Sequence, residues 1–424
     1  MADNNKLSFA GTVIWIICAV FFMYEFLLRT VLGTFEHPII YDLNLNLITF
    51  AILSSTSYQL IYGMMQIPVG LITDRFGLKK TLFFATVICA LSVAGFSLTY
   101  NFHTAVIFRI IMGFGSSFGF VCLLVAVYDW MPKKNIAFFI GLSQFIGTMG
   151  PMLAAGPMNS IANESHVDWR YIFYGLAIIG IVIAGLVLLV VKNNQDYTGS
   201  FQILKRPKPV ASDINHLIKQ PQVWYIAVFS ACVYFVIEYL SENSGKAFLI
   251  LKGYSASTAS YMLTIAWLGY AIGCPVLGFI SDIISKRKAM MILSAILCLI
   301  SAIIIFYLPI NVILLSLAFF MLGIGASGQS IGFAIMAEQC NHNYLAAGLG
   351  LNNAMIMLVA AINAPIIGWL LSIFSKESAL SISDYQQAFV LIIVLMIAAL
   401  MLSVFFIKET FCKSMKETTK LIVN

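Results

Sequence analysis

The chain has 424 residues, of which 61% are apolar and 10% charged, and its formal net charge is +6. A soluble domain usually carries about 25% charged residues, so this composition excludes a water-soluble globular protein and favours the lipid bilayer as solvent. The basic residues lie in short connections between apolar runs, which is typical of membrane orientation signals and excludes a nucleic-acid-binding surface.

Twelve apolar segments are each long enough, at roughly 20 residues, to cross a bilayer as an α-helix. They are numbered here as spans 1 to 12: 10–34, 47–73, 80–99, 104–128, 137–159, 169–192, 222–250, 258–281, 288–308, 312–336, 345–374 and 385–407. The first is too long for the apolar region of a signal peptide and has no small-residue cleavage site, so it is predicted to be a span.

The one long hydrophilic connection separates the spans six and six. The sequence therefore predicts an all-α integral membrane protein with twelve transmembrane helices in two pseudo-symmetric six-helix bundles. The predicted divisions are an N-terminal bundle at 1–192, a cytoplasmic linker at 193–221, and a C-terminal bundle at 222–424 with a short cytoplasmic tail.

The orientation follows from the 24 Lys and Arg residues, of which eighteen fall on one side of the spans and three on the other. Because positively charged loops stay in the cytoplasm, both termini and the linker are predicted to be cytoplasmic.

Cysteine and histidine patterns predict neither a metal site nor a catalytic site. The eight cysteines are scattered without CxxC spacing, which favours small core residues over a disulfide framework or metal ligands. The five histidines lie in predicted loops or at helix ends, and no nucleophile motif occurs. We therefore expect a protein that is not an enzyme and needs no cofactor.

The two halves repeat. Three pairs of matching segments occur at nearly constant offsets of 208, 210 and 213: Gly70–Asp74 with Gly278–Asp282, Gly113–Gly115 with Gly323–Gly325, and Phe22–Leu27 with Phe235–Leu240. Two parallel six-helix repeats are an architecture in which substrates bind near the membrane midplane, between the halves.

A glycine-rich charged motif ends span 2. It reads Gly70-Leu-Ile-Thr-Asp74-Arg75-Phe-Gly77-Leu-Lys79-Lys80. We expect Gly70 to permit a close helix approach and Gly77 a tight turn. The charges of Asp74, Arg75 and Lys79 are expected to pair across a cytoplasmic gate. The second copy keeps only Gly278, Asp282 and the basic run from Lys286, so it is predicted to be degenerate.

This motif resembles the signature loop of the major facilitator superfamily, and the resemblance extends over essentially the whole chain. Arg109-Ile-Ile-Met-Gly113-Phe-Gly115 is similar to the family's span 4 motif, which is associated with proton coupling. The segments 24–29 and 66–68 resemble a bacterial subgroup of sugar-phosphate and organic-anion permeases. The resemblance implies a monomeric secondary transporter of the bacterial inner membrane, with spans 1, 4, 7 and 10 lining a central cavity.

Six charged residues lie inside predicted spans, where each costs on the order of 2.5–3.5 kcal/mol. They are Glu25 and Arg29 in span 1, Arg109 in span 4, and Glu238, Glu242 and Lys246 in span 7. Within spans 1 and 7 they follow each other at four-residue intervals and so share a helix face. Internal ion pairs, Glu25 with Arg29 and Glu242 with Lys246, are the structural alternative to a functional role.

Three acids and three bases suit a zwitterion such as an amino acid, or an organic carboxylate with polar groups. Arg29 is predicted to hold the carboxylate. Organophosphate antiporters of the superfamily grip phosphate with arginines in spans 1 and 7, and span 7 has no arginine here, which disfavours that alternative. The predicted substrate-binding residues are Arg29, Tyr24, Tyr58, Gln59, Gln144, Glu238, Glu242, Lys246, Gln329 and Asn353.

Glu25 and Glu238 are the predicted proton carriers, because a carboxylate that becomes dry is costly unless it binds a proton; Arg109 is predicted to promote release. The sequence thus predicts proton-coupled uptake of a small polar metabolite by alternating access. Efflux of a drug or siderophore is a second alternative, because Gly150-Pro151 resembles an antiporter motif. We interpret that pair as a packing and kink feature.

Overall fold

The structure is a computed structural model that describes residues 8–132, 136–160, 167–192, 217–340, 345–375 and 380–413. Within these ranges the side chains of Ile67, Asp74, 136–138 and 345–346 are not described. The chain divides into two compact units, Met1–Lys205 and Arg206–Asn424. Most of the predicted linker, 193–216, lies outside the described residues.

The first unit is built from helices and one π-helical turn. They are α1 (Phe9–Thr34), α2 (Glu36–Asp42), α3 (Leu47–Ala51), the π-turn Ile52–Thr56, α4 (Ser57–Phe76), α5 (Leu78–Ser97), α6 (Phe102–Ser116), α7 (Gly119–Trp130), α8 (Ile136–Ala155) and α9 (Trp169–Val190). Helix α1 packs on α8 and α7, α5 packs on α9 and α6, and α4 packs on α6. Its core therefore lies around α1 and α5, between the helices that pack on them.

The second unit follows the same plan. Its helices are α10 (Pro221–Glu242), α11 (Gly245–Leu251), α12 (Ala256–Ile284), α13 (Arg287–Tyr307), α14 (Val312–Ala326), α15 (Gly328–Gln339), α16 (Leu345–Phe374), α17 (Ile382–Ala388) and α18 (Val390–Met401), followed by the π-turn Leu402–Phe406. Helix α10 packs on α16 and α15, and α14 packs on α12 and α13.

The membrane character of the fold is confirmed. Within the described residues, ten helical segments are long and apolar enough to cross a membrane, where α6 with α7, α14 with α15, and α17 with α18 and its π-turn each count as one segment. An eleventh, Leu47–Gln66, qualifies together with Glu36–Asp42, from which it is bent by 117°. The 20-residue helix α8 occupies the position of predicted span 5. The multi-pass, all-helical class is as predicted, whereas the number twelve stays a prediction.

The internal repeat is visible in contacts made inside each unit. The Sγ of Cys89 donates to the Met112 carbonyl over 3.9 Å in the first unit. The Sγ of Cys298 donates to the Leu322 carbonyl over 3.8 Å in the second unit. Two thiols at matching positions thus make the same contact, as the predicted pseudo-symmetry requires.

Spans 4 and 10 are both distorted at a serine. Helix α6 ends before Ser117, and α14 ends before Ser327. Each serine hydroxyl donates to the carbonyl three residues earlier, over 2.6 Å in the first unit and 2.7 Å in the second, and such local bonds compete with the backbone hydrogen bonds of a helix. Each span nevertheless remains one helix long enough to cross a membrane, Phe102–Trp130 and Val312–Gln339, as predicted.

The continuous helix predicted for span 7 is wrong. Helix α10 ends before Asn243, whose backbone leaves the helical region, and α11 begins at Gly245. Asn, Ser and Gly are poor helix formers, and an added Cβ at Gly245 would lie 2.1 Å from the Leu240 carbonyl oxygen. Buried surroundings allow such a break at membrane depth.

This break separates the predicted row of span 7 charges. Glu238 and Glu242 are both buried in α10, at four-residue spacing, whereas Lys246 is half-buried in α11. The expected face shared by all three charges therefore does not exist.

Gly150 of α8 fits against the backbone of α1, which agrees with the packing interpretation. An added Cβ would lie 2.2 Å from the Met23 carbonyl oxygen and 2.8 Å from the Leu27 amide nitrogen. Backbone atoms cannot yield as a flexible side chain can, so α1 and α8 would have to separate.

We expect Gly150→Ala to destabilise the first unit by about 1–3 kcal/mol, the usual effect of overpacking. Gly141 lies on the same helix, and an added Cβ there meets no described atom within 4 Å. Gly141→Ala is therefore the matched control and should be neutral or stabilising, since Ala favours helix over Gly. Thermal unfolding of purified protein in detergent measures both; equal midpoints would contradict the packing role.

Candidate functional site

Glu25 lies inside the first unit, in the middle of α1, with 2% of its surface exposed. The Tyr58 hydroxyl donates to its carboxylate Oε2 over 3.2 Å and lies 3.0 Å from its backbone carbonyl. An added Cβ at Gly119 would lie 2.8 Å from Glu25 Cγ, so the absence of a side chain at Gly119 leaves room for Glu25. The carboxyl group thus has a polar partner but little water.

Arg109 is fully buried beside this group. Its guanidinium lies over the Tyr58 ring, 4.5 Å from the ring centroid. It donates to backbone carbonyls of α1 and of the π-turn: to Leu28 over 2.7 Å, Arg29 over 2.8 Å and Ser54 over 2.9 Å. One planar cation therefore ties α6 to α1 and to the widened turn of span 2.

Arg29 is buried one helical turn after Glu25, with 5% of its surface exposed. Its guanidinium lies 4.0 Å from the centroid of the Phe26 ring, and its carbonyl accepts the bond from Arg109. The aromatic face and the anchored backbone restrict where this cation can reach. We name Glu25, Arg29, Tyr58 and Arg109 the first cluster.

The other predicted site residues of the first unit are Tyr24, Gln59 and Gln144. Tyr24 points to α9, where its hydroxyl donates to the Leu176 carbonyl over 2.9 Å, which makes it a bond between helices. Gln59 is buried in α4 and Gln144 is half-buried in α8. Their contact with a substrate stays a prediction.

Glu238 lies on α10 in the second unit, close in sequence to a group of aromatic rings. Tyr234, one turn earlier, lies 6.1 Å from Trp267 and 5.6 Å from Tyr270, between ring centroids. The Trp267 indole donates to the Ser241 hydroxyl over 2.7 Å. These rings belong to α10 and α12, and all are buried.

Gln329 at the start of α15 joins this group, because the Tyr270 hydroxyl donates to its amide oxygen over 2.6 Å. Glu238 is 1% and Glu242 is 0% exposed. Asn353 is half-buried on α16. We name Tyr234, Glu238, Ser241, Trp267, Tyr270 and Gln329 the second cluster.

Three of these residues were not predicted from the sequence as ligands: Ser241, Trp267 and Tyr270. The two aromatic residues stand three positions apart and so share one face of span 8. Aromatic rings with polar tips inside a span are a usable signal. The hydrogen bond of Ser241 depends on Trp267 from another helix, and no local sequence pattern reveals it.

The gate motif forms the end of α4 and the start of α5. Gly77 has φ +80°, the left-handed region in which glycine is favoured, so the predicted tight turn is present. Among the described residues, no atom lies within 4 Å of an added Cβ at Gly70, and the close helix approach expected there stays a prediction. Arg75 is exposed and Lys79 half-buried, while the side chain of Asp74 lies outside the described residues.

The residues that survive in the second copy of this motif form ion pairs. Arg287, in the basic run that begins at Lys286, pairs with Asp282 over 2.6 Å and with Glu338, at the end of α15, over 2.9 Å. The degenerate copy therefore still has paired charges.

Comparison with known proteins agrees with this architecture. The family model described as Major Facilitator Superfamily matches residues 14–244 and 247–419. A hexuronate transporter of Bacillus subtilis is 25% identical over 58% of this chain and 59% of its own length. A probable L-galactonate transporter of Escherichia coli is 25% identical over 58% of this chain and 56% of its own. The chain thus covers less than two thirds of either relative.

Solved structures share the fold at low identity. A bacterial homologue of the human lysosomal transporter Spinster, inward-facing and unoccupied, has a TM-score of 0.75 at 16% identity, with 94% of this chain and 97% of that chain covered. A D-xylose-proton symporter has a TM-score of 0.73 at 17% identity, with 95% and 99% covered.

Proposed function

The chain belongs to the major facilitator superfamily, a family of secondary transporters and not of enzymes, and we propose that it couples uptake of a hydroxylated organic carboxylate to protons. The observation that carries this proposal is Glu25, a carboxyl group buried in the membrane with Tyr58 as hydrogen-bond donor. A group that is costly as a dry anion and has one neutral donor is suited to binding and releasing a proton.

The substrate class is proposed from the chemistry of the two clusters. Arg29 supplies a planar cation that can hold a carboxylate through two parallel hydrogen bonds. The second cluster offers aromatic faces together with Glu238 and Gln329, a combination suited to a ring or chain that carries hydroxyl groups. The names of two relatives, a hexuronate transporter and a probable L-galactonate transporter, refer to molecules with both features. We therefore favour a sugar acid over an amino acid.

Arg29→Lys is expected to weaken binding of such a sugar acid at least tenfold, because Lys cannot reproduce the bidentate fork. Calorimetry of purified protein with D-glucuronate and L-galactonate measures the effect. Arg75→Lys, the same change at an exposed position, is the matched control and should bind as wild type. Equal affinity in Arg29→Lys and wild type would remove Arg29 from the site. Absence of wild-type binding to either compound would overturn the sugar-acid class.

We further propose that the protein acts as a monomer in a bacterial inner membrane, with both ends of the chain in the cytoplasm. The excess of positive charge on one side of the predicted spans supports this orientation.

A further inference from the structure

The C-terminal segment, residues 407–413, follows the last span and is fastened to the second unit. Gln222, at the start of α10, holds its backbone from both sides. The amide nitrogen of Gln222 donates to the Phe406 carbonyl, and its amide oxygen accepts from the Lys408 amide, each over 2.9 Å. Ile407 between them is 1% exposed. The chain is thus fixed where it leaves the membrane.

Glu409 caps helix α13 from this segment. Its two carboxylate oxygens accept from the backbone amides of Arg287 and Lys288, the first two residues of the helix, each over 2.9 Å. Lys286 precedes the helix and makes no side-chain cap of its own. The first amides of a helix need such acceptors, and a negative charge at this end is favoured. Glu409, which follows Arg287 by 122 positions, therefore caps the helix in place of a residue next to it in sequence.

The side chain of the capped residue is the basic member of the second gate motif. Arg287 donates to Asp282 over 2.6 Å, to Ser281 over 3.1 Å and to Glu338 over 3.0 Å. The Thr410 hydroxyl donates to the other oxygen of Glu338. The C-terminal segment therefore contacts both the backbone of Arg287 and one of its acidic partners.

The end of the segment folds back on the same loop in an unusual conformation. Phe411 has φ +54° and Cys412 has φ +57°, values that residues with a side chain rarely adopt and that persist only when surrounding contacts impose them. The Cys412 thiol donates to the Ser281 carbonyl over 3.6 Å. Four successive points of attachment place one short segment against α10, α12, α13 and α15.

We propose that Glu409 is a positioning residue of the transport cycle, which holds the start of α13 so that Arg287 bridges Asp282 and Glu338. The segment 407–413 then contributes to the function of the second gate motif by holding Arg287 in place. This inference rests on the contacts within the second unit and on membership of the transporter family; the identity of the substrate does not enter it.

Cys412 is a built-in reporter for this inference. In full-length protein in inside-out vesicles, Glu409→Gln should increase the rate of Cys412 labelling by a maleimide about tenfold, because the thiol is released from Ser281. Hydrogen exchange at the amides of Arg287 and Lys288, followed by mass spectrometry, should rise in parallel. Cys412→Ser supplies the labelling background.

Two further variants distinguish a positioning role of Glu409 from a general loss of structure in the segment. Lys408→Gln changes an exposed side chain of the same segment and should leave labelling and exchange unchanged. Glu409→Asp keeps the charge and should restore most of the protection. In proteoliposomes supplied with D-glucuronate, Glu409→Gln should lower the maximal rate about tenfold at unchanged KM.

Unchanged labelling and exchange in Glu409→Gln would overturn the inference, as would an equal effect of Lys408→Gln. Faster labelling with an unchanged maximal rate would also overturn it, because the segment would then be attached without serving transport. If wild-type protein does not take up D-glucuronate, the proposed substrate class fails instead, and labelling and exchange alone decide whether Glu409 holds the gate motif.

Discussion

Glu25→Gln is expected to abolish accumulation of substrate driven by a proton gradient while leaving exchange across equal concentrations intact. Gln keeps the size of the side chain and can still accept a hydrogen bond from Tyr58, but it cannot bind and release a proton. Exchange requires only that the loaded protein reorients, whereas accumulation requires a proton to travel with the substrate. The expected loss is at least a hundredfold in the accumulation ratio, close to complete uncoupling.

The physical reason lies in the surroundings of Glu25. An ionised carboxylate removed from water is strongly destabilised unless it is paired and hydrogen-bonded. The hydroxyl of Tyr58 offers one neutral bond to its carboxylate. Under the proposed coupling, access of water to Glu25 decides its charge, and a conformational change that alters this access moves a proton. Arg29, one turn away, is expected to favour the ionised form when no substrate carboxylate engages it.

Proteoliposomes with an imposed pH gradient and labelled D-glucuronate measure accumulation, and counterflow at equal concentrations measures exchange. Glu238→Gln is the matched control, since Glu238 occupies the equivalent repeat position and is equally buried. We expect this variant to bind more weakly but still to accumulate substrate. Accumulation by Glu25→Gln, or its loss only in Glu238→Gln, would assign the proton to the second repeat instead.

The spans and the repeat are properties that a sequence can reveal, because they depend on local composition. Apolar runs of the required length mark a membrane helix wherever it packs, and Gly113 with Gly115 recurs as Gly323 with Gly325 because both pairs occupy the same contact in their own unit. Glu25 could be identified from the sequence because a carboxyl group inside an apolar span is energetically costly and therefore marks a functional or paired group.

The helix breaks could not be predicted from the same signals. A hydropathy average does not report whether the helix formed by an apolar segment is continuous. The two polar residues Asn243 and Ser244 are too few to lower that average. Whether they end a helix depends on partners that satisfy the freed backbone groups, and those come from other helices. The alignment of Lys246 with Glu242 on one helix face was inferred from helical spacing and is lost because the helix ends between them; an ion pair between them stays a prediction.

The contacts of the Arg109 side chain could not be predicted from the sequence either. A charged side chain inside span 4 predicts a structural or functional role, because it is costly there. The resemblance to the family predicts that this role is proton coupling. The hydrogen bonds of the guanidinium to the carbonyls of Leu28, Arg29 and Ser54 depend on the backbone of two other helices, which carries no sequence signature. We infer from them that Arg109 holds the backbone next to Glu25 in place.

Arg109→Lys is accordingly expected to destabilise the first unit by about 3 kcal/mol, because hydrogen bonds to charged groups contribute roughly 1.5–3 kcal/mol each. The Lys ammonium is a compact donor that cannot span acceptors on both α1 and the π-turn as the planar guanidinium does. At least two buried carbonyls then lose their partner. A loss of this size corresponds to a thermal midpoint lower by about 5 °C or more, measurable in detergent by tryptophan fluorescence.

Arg75→Lys makes the same change at an exposed position of the same unit, and its midpoint should stay at the wild-type value. A role for Arg109 as a mobile partner of the proton carrier leads to a different pattern. Arg109→Lys would then keep wild-type stability, since a mobile cation contributes little to the packed state, and it would lose proton-driven accumulation alone. Stability and accumulation measured on the same preparation therefore distinguish a fixed anchor, which lowers both, from a moving charge, which lowers only the second.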